Sequence, residues 1–151
     1  MSTRAIIKEL IQRLYDESIR NGFNFQVSEY DSSGRNYFVA EDGTFLGTLS
    51  GVYDARSIFN RFGSYGSKYS TTSIFNPFSQ YGSKYSPQSP VSRFAATPPK
   101  IFINNQYFGR LTANKFAPDA KPVDVFLFYV LQQMGLLDDR MDDLIELISR
   151  I

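Results

Sequence analysis

The sequence predicts an α+β protein: an N-terminal helix, a β-rich core of hairpins and loops with pseudo-four-fold repetition, and a C-terminal helical pair. Three observations carry this. Apolar residues recur at helical spacing at both ends of the chain. Between them the period drops to two in short runs separated by turn residues. In the middle, "SIFNRFGSYGSKYS" (57–70) is followed by "SIFNPFSQYGSKYS" (73–86), one phrase stated twice at a spacing of sixteen residues.

Ile6, Ile7, Leu10, Ile11, Leu14 and Ile19 alternate with charged residues and form one apolar face, predicting an amphipathic helix over 3–21. Ser2 or Thr3 caps its start, and Asn21-Gly22 is a left-handed stop. Phe23, Phe25 and Val27 then alternate with polar residues and predict a strand. Asp31–Gly34 is a turn. "NYFVA" and "FLGTLS" flank Asp42-Gly43, predicting a hairpin closed by a type I′ turn. A second hairpin follows far downstream, with "KIFI" and "QYFGRLT" joined by Asn104-Asn105. The segment 45–50 aligns with 107–112, so the two hairpins resemble each other.

The repeat register extends outward. Tyr53, Tyr69 and Tyr85 correspond, as do Ser57, Ser73 and Ser89, and a degraded third copy ends at Phe94. Two related hairpins enclosing two related units predict four similar elements around an axis, since so short a unit cannot bury its own apolar face. Glycine and Asn76-Pro77 force turns, so little regular strand is expected there. Ile, Phe and Tyr are expected to point inward, with Ser and Asn saturating backbone groups in the bends. Helical spacing returns after Pro122, with Asp124 in the first turn, and runs to Gly135 as a helix apolar almost all round. The last helix, over 138–151, sets Met141, Leu144, Ile145, Ile148 and Ile151 against Asp139, Asp142, Asp143 and Glu146. We read residues 1–151 as a single domain, divided into 1–22, 23–118 and 119–151.

The doubled YGSKYS unit and the hairpin element "GRLTANKF" resemble a set of uncharacterised bacterial proteins known as four-fold β-flower proteins. The resemblance covers roughly residues 37–118. It implies pseudo-four-fold symmetry and brings no activity, ligand or site residue with it.

Composition narrows the function classes. There is no cysteine and no histidine, which removes disulfides, thiolate or imidazole metal sites and any Ser-His-Asp or Cys-His catalytic pair. Asp138, Asp139, Asp142 and Asp143 read as the solvated face of a helix in preference to a metal site. Ser67-Lys68 and Ser83-Lys84 are adjacent residues that point to opposite faces of an extended chain. No phosphate-binding glycine loop and no nucleophile elbow is present. We expect no catalytic residue, no metal and no cofactor, and so no enzyme. The N-terminus lacks the pattern of a signal peptide, and the longest apolar run, "VFLFYVL", falls far short of a membrane span. We therefore expect a soluble, cytoplasmic protein without a membrane partner.

Charge is unevenly laid out. Residues 1–54 carry a net −3, residues 55–118 eight cations and no acid, and residues 119–151 a net −4. Two binding readings follow. The first is a protein-interaction or self-associating module, built on the Tyr, Ser, Asn and Gly of the repeats. In it, Leu144, Ile145, Ile148 and Ile151 of the last helix are available to a partner or a second copy. The alternative is a binder of nucleic acid or another anionic polymer. There Arg61, Lys68, Lys84 and Arg93 would contact phosphates, and Tyr65 and Tyr81 would stack on bases. The interaction module is the first choice.

Overall fold

The structure, a computed structural model, describes residues 2–151; Met1 of the first segment lies outside the described residues. The predicted fold class is what it shows: an N-terminal helix, a five-stranded mixed sheet and two C-terminal helices.

Helix α1 spans Thr3–Asn21. The Ser2 hydroxyl accepts the Ala5 N–H, and Gly22 closes the helix in the left-handed region at φ 61°. Only a narrow stripe is covered: Leu14 is buried and Leu10 and Ile11 pack against the core, but Ile6 and Ile19 are mostly exposed. The apolar face is therefore narrower than the spacing suggested, because α1 packs on a single neighbour, α2 (Val123–Met134).

Residues 23–27 correct another expectation. Phe25 and Val27 are buried and their neighbours exposed, as alternation requires, yet no strand forms. Their backbone partners are side chains of α2. The Tyr129 hydroxyl donates to the Phe25 carbonyl, and the Val27 N–H donates to Gln133 Oε1 at 3.0 Å. Period-two burial reports an extended chain, and extension is compatible with partners other than a strand.

The sheet consists of β1 (Tyr37–Val39), β2 (Phe45–Thr48), β3 (Lys100–Ile103), β4 (Gln106–Thr112) and β5 (Ala120–Pro122), in the order β2-β1-β3-β4-β5. All neighbours are antiparallel except β4 and β5. The turn at Asn104-Asn105 has φ of 53° and 63°, as a type I′ turn demands. The upstream loop does not. Only Gly43 has positive φ, and the Gly43 N–H donates to the Ala40 carbonyl while Ala40 in turn pairs with Thr44. The Asp42 carboxylate takes the Thr44 N–H and stabilises this wider loop, which removes the need for a type I′ turn. The short β5 was not anticipated, since its three residues are all half-buried and so carry no alternation.

Residues 49–99 contain no helix and no strand of the sheet. They form a continuous ribbon of three-residue turns. Asn60, Gly63, Ser73, Asn76, Ser79 and Ser89 each donate their backbone N–H to the carbonyl three residues earlier. The residue that opens each turn accepts, through its side chain, the N–H two positions on: Ser57 from Phe59, Asn60 from Phe62, Ser67 from Tyr69, Ser73 from Phe75, Asn76 from Phe78. Ser and Asn do this because their short polar side chains mimic a backbone turn. The sixteen-residue spacing is thus five three-residue units with one extra glycine, Gly66 or Gly82, and four of the five units in each copy end in an aromatic residue.

The triplet explains why the inward expectation for Phe and Tyr holds only in part. Phe59, Phe75 and Val91 close the core-facing triplets and are buried, whereas Phe62, Phe78 and Phe94 close the next ones and face solvent. A three-residue turn swings successive side chains off the core, so burial recurs with the long period alone.

Opening residues also tie the ribbon to itself. Asn76 donates through Nδ2 to the Ser70 carbonyl at 2.9 Å and accepts the Phe78 N–H at 2.9 Å while buried. Asn76→Ala removes both bonds and leaves the Phe78 N–H without its partner, while the Ser70 carbonyl keeps the Ser73 N–H. We expect a loss of about 2 kcal/mol in urea unfolding, against roughly zero for the exposed Asn24→Ala.

Helix α2 is buried along most of its length. Gly135, at φ 71°, breaks it before α3 (Leu137–Ser149). Leu144 and Leu147 of α3 are buried, and Met141, Ile148 and Ile151 pack against the same core. Of the four apolar residues offered above to a partner, Leu144 is buried, Ile148 and Ile151 are half-buried against the core, and Ile145 is half-buried outside that cluster.

Candidate functional site

Four triplets end in a phenylalanine that the fold leaves in water. Asn60-Arg61-Phe62, Asn76-Pro77-Phe78, Ser92-Arg93-Phe94 and Asn114-Lys115-Phe116 present rings that are 99%, 92%, 90% and 91% exposed. In three of them the asparagine Oδ1 accepts the phenylalanine N–H at 2.9–3.0 Å, so the turn holding each ring has satisfied its own backbone. Tyr53, Tyr69 and Tyr85 are exposed as well. Lys68 and Lys84 lie over the rings of their neighbours, with Nζ 5.8 Å from the Tyr69 centroid and 5.2 Å from that of Tyr85.

Helix α3 runs beside these triplets and is pinned to them by arginines. Arg61 donates through Nη2 to Asp142 at 2.8 Å and through Nε to Asp143 at 2.9 Å, and the Asp143 contact pushes the guanidinium pKa further up. Arg140 and Arg150 donate to the Phe59 and Phe75 carbonyls at 3.1 and 2.8 Å. Arg93 donates to the Ile151 carbonyl at 2.9 Å. Two adjoining clefts open between ribbon and helix. One, of about 320 Å³, contains Arg61, Phe62, Tyr69 and Asp142. The other, of about 410 Å³, contains Tyr69, Pro77 and Phe78. Both are lined by Lys68, Tyr69 and Glu146, so Tyr69 stands between them.

The predicted site residues are partly brought together. Arg61 and Lys68 share the first cleft, while Lys84 and Arg93 line neither. Tyr65 is half-buried, its ring edge-on to Phe45 at 5.0 Å. Tyr81 is buried, and its hydroxyl donates to Asp42 at 2.8 Å. Asp42 is held below the usual carboxylate range, chiefly by the Thr44 backbone N–H. The repeat-segment rings in water are therefore Tyr53, Phe62, Tyr69, Phe78, Tyr85, Phe94 and Phe116 in place of Tyr65 and Tyr81. Reading the repeat in threes from Ser57, with a reset at Gly66 and Gly82, would have flagged the triplet; it would not have said which triplets face the core.

Much of the central positive charge is answered across the fold. Besides Arg61, Arg56 lies 3.7 Å from Asp54, and Arg110 and Lys100 lie 2.9 and 3.7 Å from Glu41. The Arg110 hydrogen bond holds the Glu41 carboxyl below its ordinary range. Among the described residues no group of acids gathers in a way that could hold a metal ion, and no helix is long and apolar enough to cross a membrane. Comparison with protein-family models, curated proteins and solved structures finds no match to this chain.

Proposed function

We propose that this protein is a non-enzymatic interaction module that recognises a protein partner through the ring-lined surface where the triplet turns meet α3. One observation carries the reading: four phenylalanines in equivalent turns, each at least 90% exposed. Leaving a phenyl ring in water forgoes roughly 1.5–3 kcal/mol of burial, and two of the rings, Phe62 and Phe78, stand at the adjoining clefts beside α3, where apolar side chains exposed together mark a contact surface. At Phe62, Phe78 and Phe116 the backbone N–H is already taken by the asparagine that opens the turn, so covering those rings strands no donor there. Rigid presentation also lowers the ordering cost of binding. The likeness of the four Phe-ending triplets also supports the four-unit architecture implied by the β-flower resemblance.

The nucleic-acid reading keeps one favourable observation, Lys68 and Lys84 set against exposed tyrosines. Against it stand the carboxylates of α3 in the same cleft and the pairing of Arg61, Arg56, Lys100 and Arg110. Peptide display on the wild-type protein, with Phe62→Ser/Phe78→Ser as counter-selection, separates the readings. The substitutions replace exposed rings and leave stability within about 0.5 kcal/mol. We expect peptides that enrich on the wild type and lose binding on the variant. An empty selection, or oligonucleotide binding that collapses between about 50 and 200 mM salt, overturns the proposal.

A further inference from the structure

We infer that the cleft bounded by Tyr30 and Tyr53 binds a small organic cation through a quaternary ammonium head group. This cleft shares no residue with the two beside α3, and the inference goes beyond the interaction reading.

The internal repeat points to the ligand. Tyr53, Tyr69 and Tyr85 hold equivalent places in successive copies, and the residues before them are Val52, Lys68 and Lys84. In two copies the protein lays its own ammonium over the ring, with Nζ 5.8 Å from the Tyr69 centroid and 5.2 Å from that of Tyr85. At the first place the lysine gives way to Val52, which packs against the core. Tyr53 is left 96% exposed, against 83% for each ring that carries a lysine. A tyrosine face attracts a cation whether it comes from the chain or from solution.

The walls of the cleft supply the rest. Its volume is about 320 Å³, room for a small ligand, and Tyr30 gives it a second exposed ring. Glu29, Asp31 and Asp54 line it, and no lysine or arginine does. Two arginines stand near. Arg56 Nε lies 3.7 Å from Asp54, and Arg56 Nη2 donates to the Ser32 carbonyl at 3.1 Å. The Asp31 carboxyl is held below its ordinary range chiefly by the Ser33 N–H and more weakly by Arg35. With both arginines set against the three acids, one carboxylate is left over. Glu29 itself joins no ion pair among the described residues.

The same contacts choose among cations. The three acids do not gather as metal ligands do. Asp31 accepts the Ser33 N–H and Asp54 the Arg56 N–H, each at 2.9 Å. Glu29 faces the Tyr30 hydroxyl, whose pKa its hydrogen bond and charge push up. Part of the acceptor capacity is thus spent inside the protein, while the charge and the ring faces remain. That combination suits a cation without N–H donors, whose charge is spread over methyl groups, the kind that aromatic faces recognise. The cleft is also formed in advance. A Cβ on Gly51 would lie 2.5 Å from the Glu29 carbonyl oxygen, so its two segments touch at the backbone, and little reordering accompanies binding.

The test is a titration of the wild-type protein with choline at constant ionic strength, read by amide chemical shifts. Saturable shifts are expected at Tyr30, Asp31, Gly51 and Tyr53, with a dissociation constant on the order of 1 mM. The neutral isostere of choline, a tert-butyl group replacing trimethylammonium, should bind about tenfold more weakly. Tyr53→Ser and Tyr30→Ser, both at exposed positions, should each weaken choline about fivefold or more at unchanged thermal midpoint. Glu29→Gln should weaken it about threefold. Val52→Lys, which restores the residue of the other two copies, should remove the saturable shifts by setting its own ammonium over Tyr53. Shifts that never saturate overturn the inference. So does equal binding of the neutral isostere, or binding indifferent to both tyrosine substitutions.

Discussion

Gly82→Ala should be among the most damaging single-methyl additions in the chain, with an expected loss of about 3 kcal/mol. A Cβ at Gly82 would lie 2.1 Å from the Asn76 carbonyl oxygen and 2.8 Å from that of Ile74. Both are backbone atoms of the preceding turns, so neither can swing aside. Gly66 stands in the same relation to the Asn60 and Ile58 carbonyls, again at 2.1 and 2.8 Å. The comparison that isolates the cause is Gly43→Ala. Gly43 has φ 89° and nothing within 4 Å of the added atom, so its substitution carries backbone strain alone, about 1 kcal/mol. Gly82 has no left-handed strain and costs more because two stretches of chain touch there. Urea midpoints of the two variants decide it; a Gly82→Ala loss no greater than that of Gly43→Ala would disprove the close packing of the ribbon. The double variant Gly66→Ala/Gly82→Ala should not fold.

Phe126→Ala is expected to cost about 4 kcal/mol, within the range for truncating a buried aromatic ring. The ring is fully buried and joins the segment 23–27 to two strands of the sheet. Its centroid lies 5.8 Å from Phe23, 5.6 Å from Phe25, 6.0 Å from Phe38 of β1 and 6.2 Å from Phe108 of β4. Removing it leaves a cavity between α2, the sheet and the unpaired segment 23–27. Hydrogen exchange in the variant should rise first at Val27, whose N–H is held by the Gln133 side chain and not by a strand. A loss under about 2 kcal/mol would mean that the aromatic cluster collapses to fill the space.

Helices were the most legible part of the sequence because their signal is local. Ser2, Gly22, Asp124 and Gly135 mark ends that the structure reproduces, and the spacing of Leu10, Ile11 and Leu14 picks the covered side of α1. Legibility fell wherever a partner was distant in sequence. Phe25 and Val27 alternate as a strand does, but the partner is a helix a hundred residues away. Asp42-Gly43 resembles a type I′ pair, yet the Asp42 carboxylate chose the Thr44 N–H. At the candidate site, Arg61 and Lys68 were picked for their charge, and only the arrival of Asp142 and Asp143 shows that one of the two is already engaged.

The repeated phrase shows the same division. By itself the sequence determined the α+β class, the helix ends, the two hairpins and the existence of a long repeat, because each depends on residues within a few positions of one another. The triplet chemistry of Ser and Asn was written there too, in a period that sixteen-residue spacing concealed. Which rings are core and which are surface was decided by the tertiary structure alone. Phe59 and Phe62 end successive triplets of the same kind, and α2 and α3 cover one and not the other. Burial is a property of what else comes to that place, and a helix that arrives from eighty residues away leaves no mark on the triplet it covers.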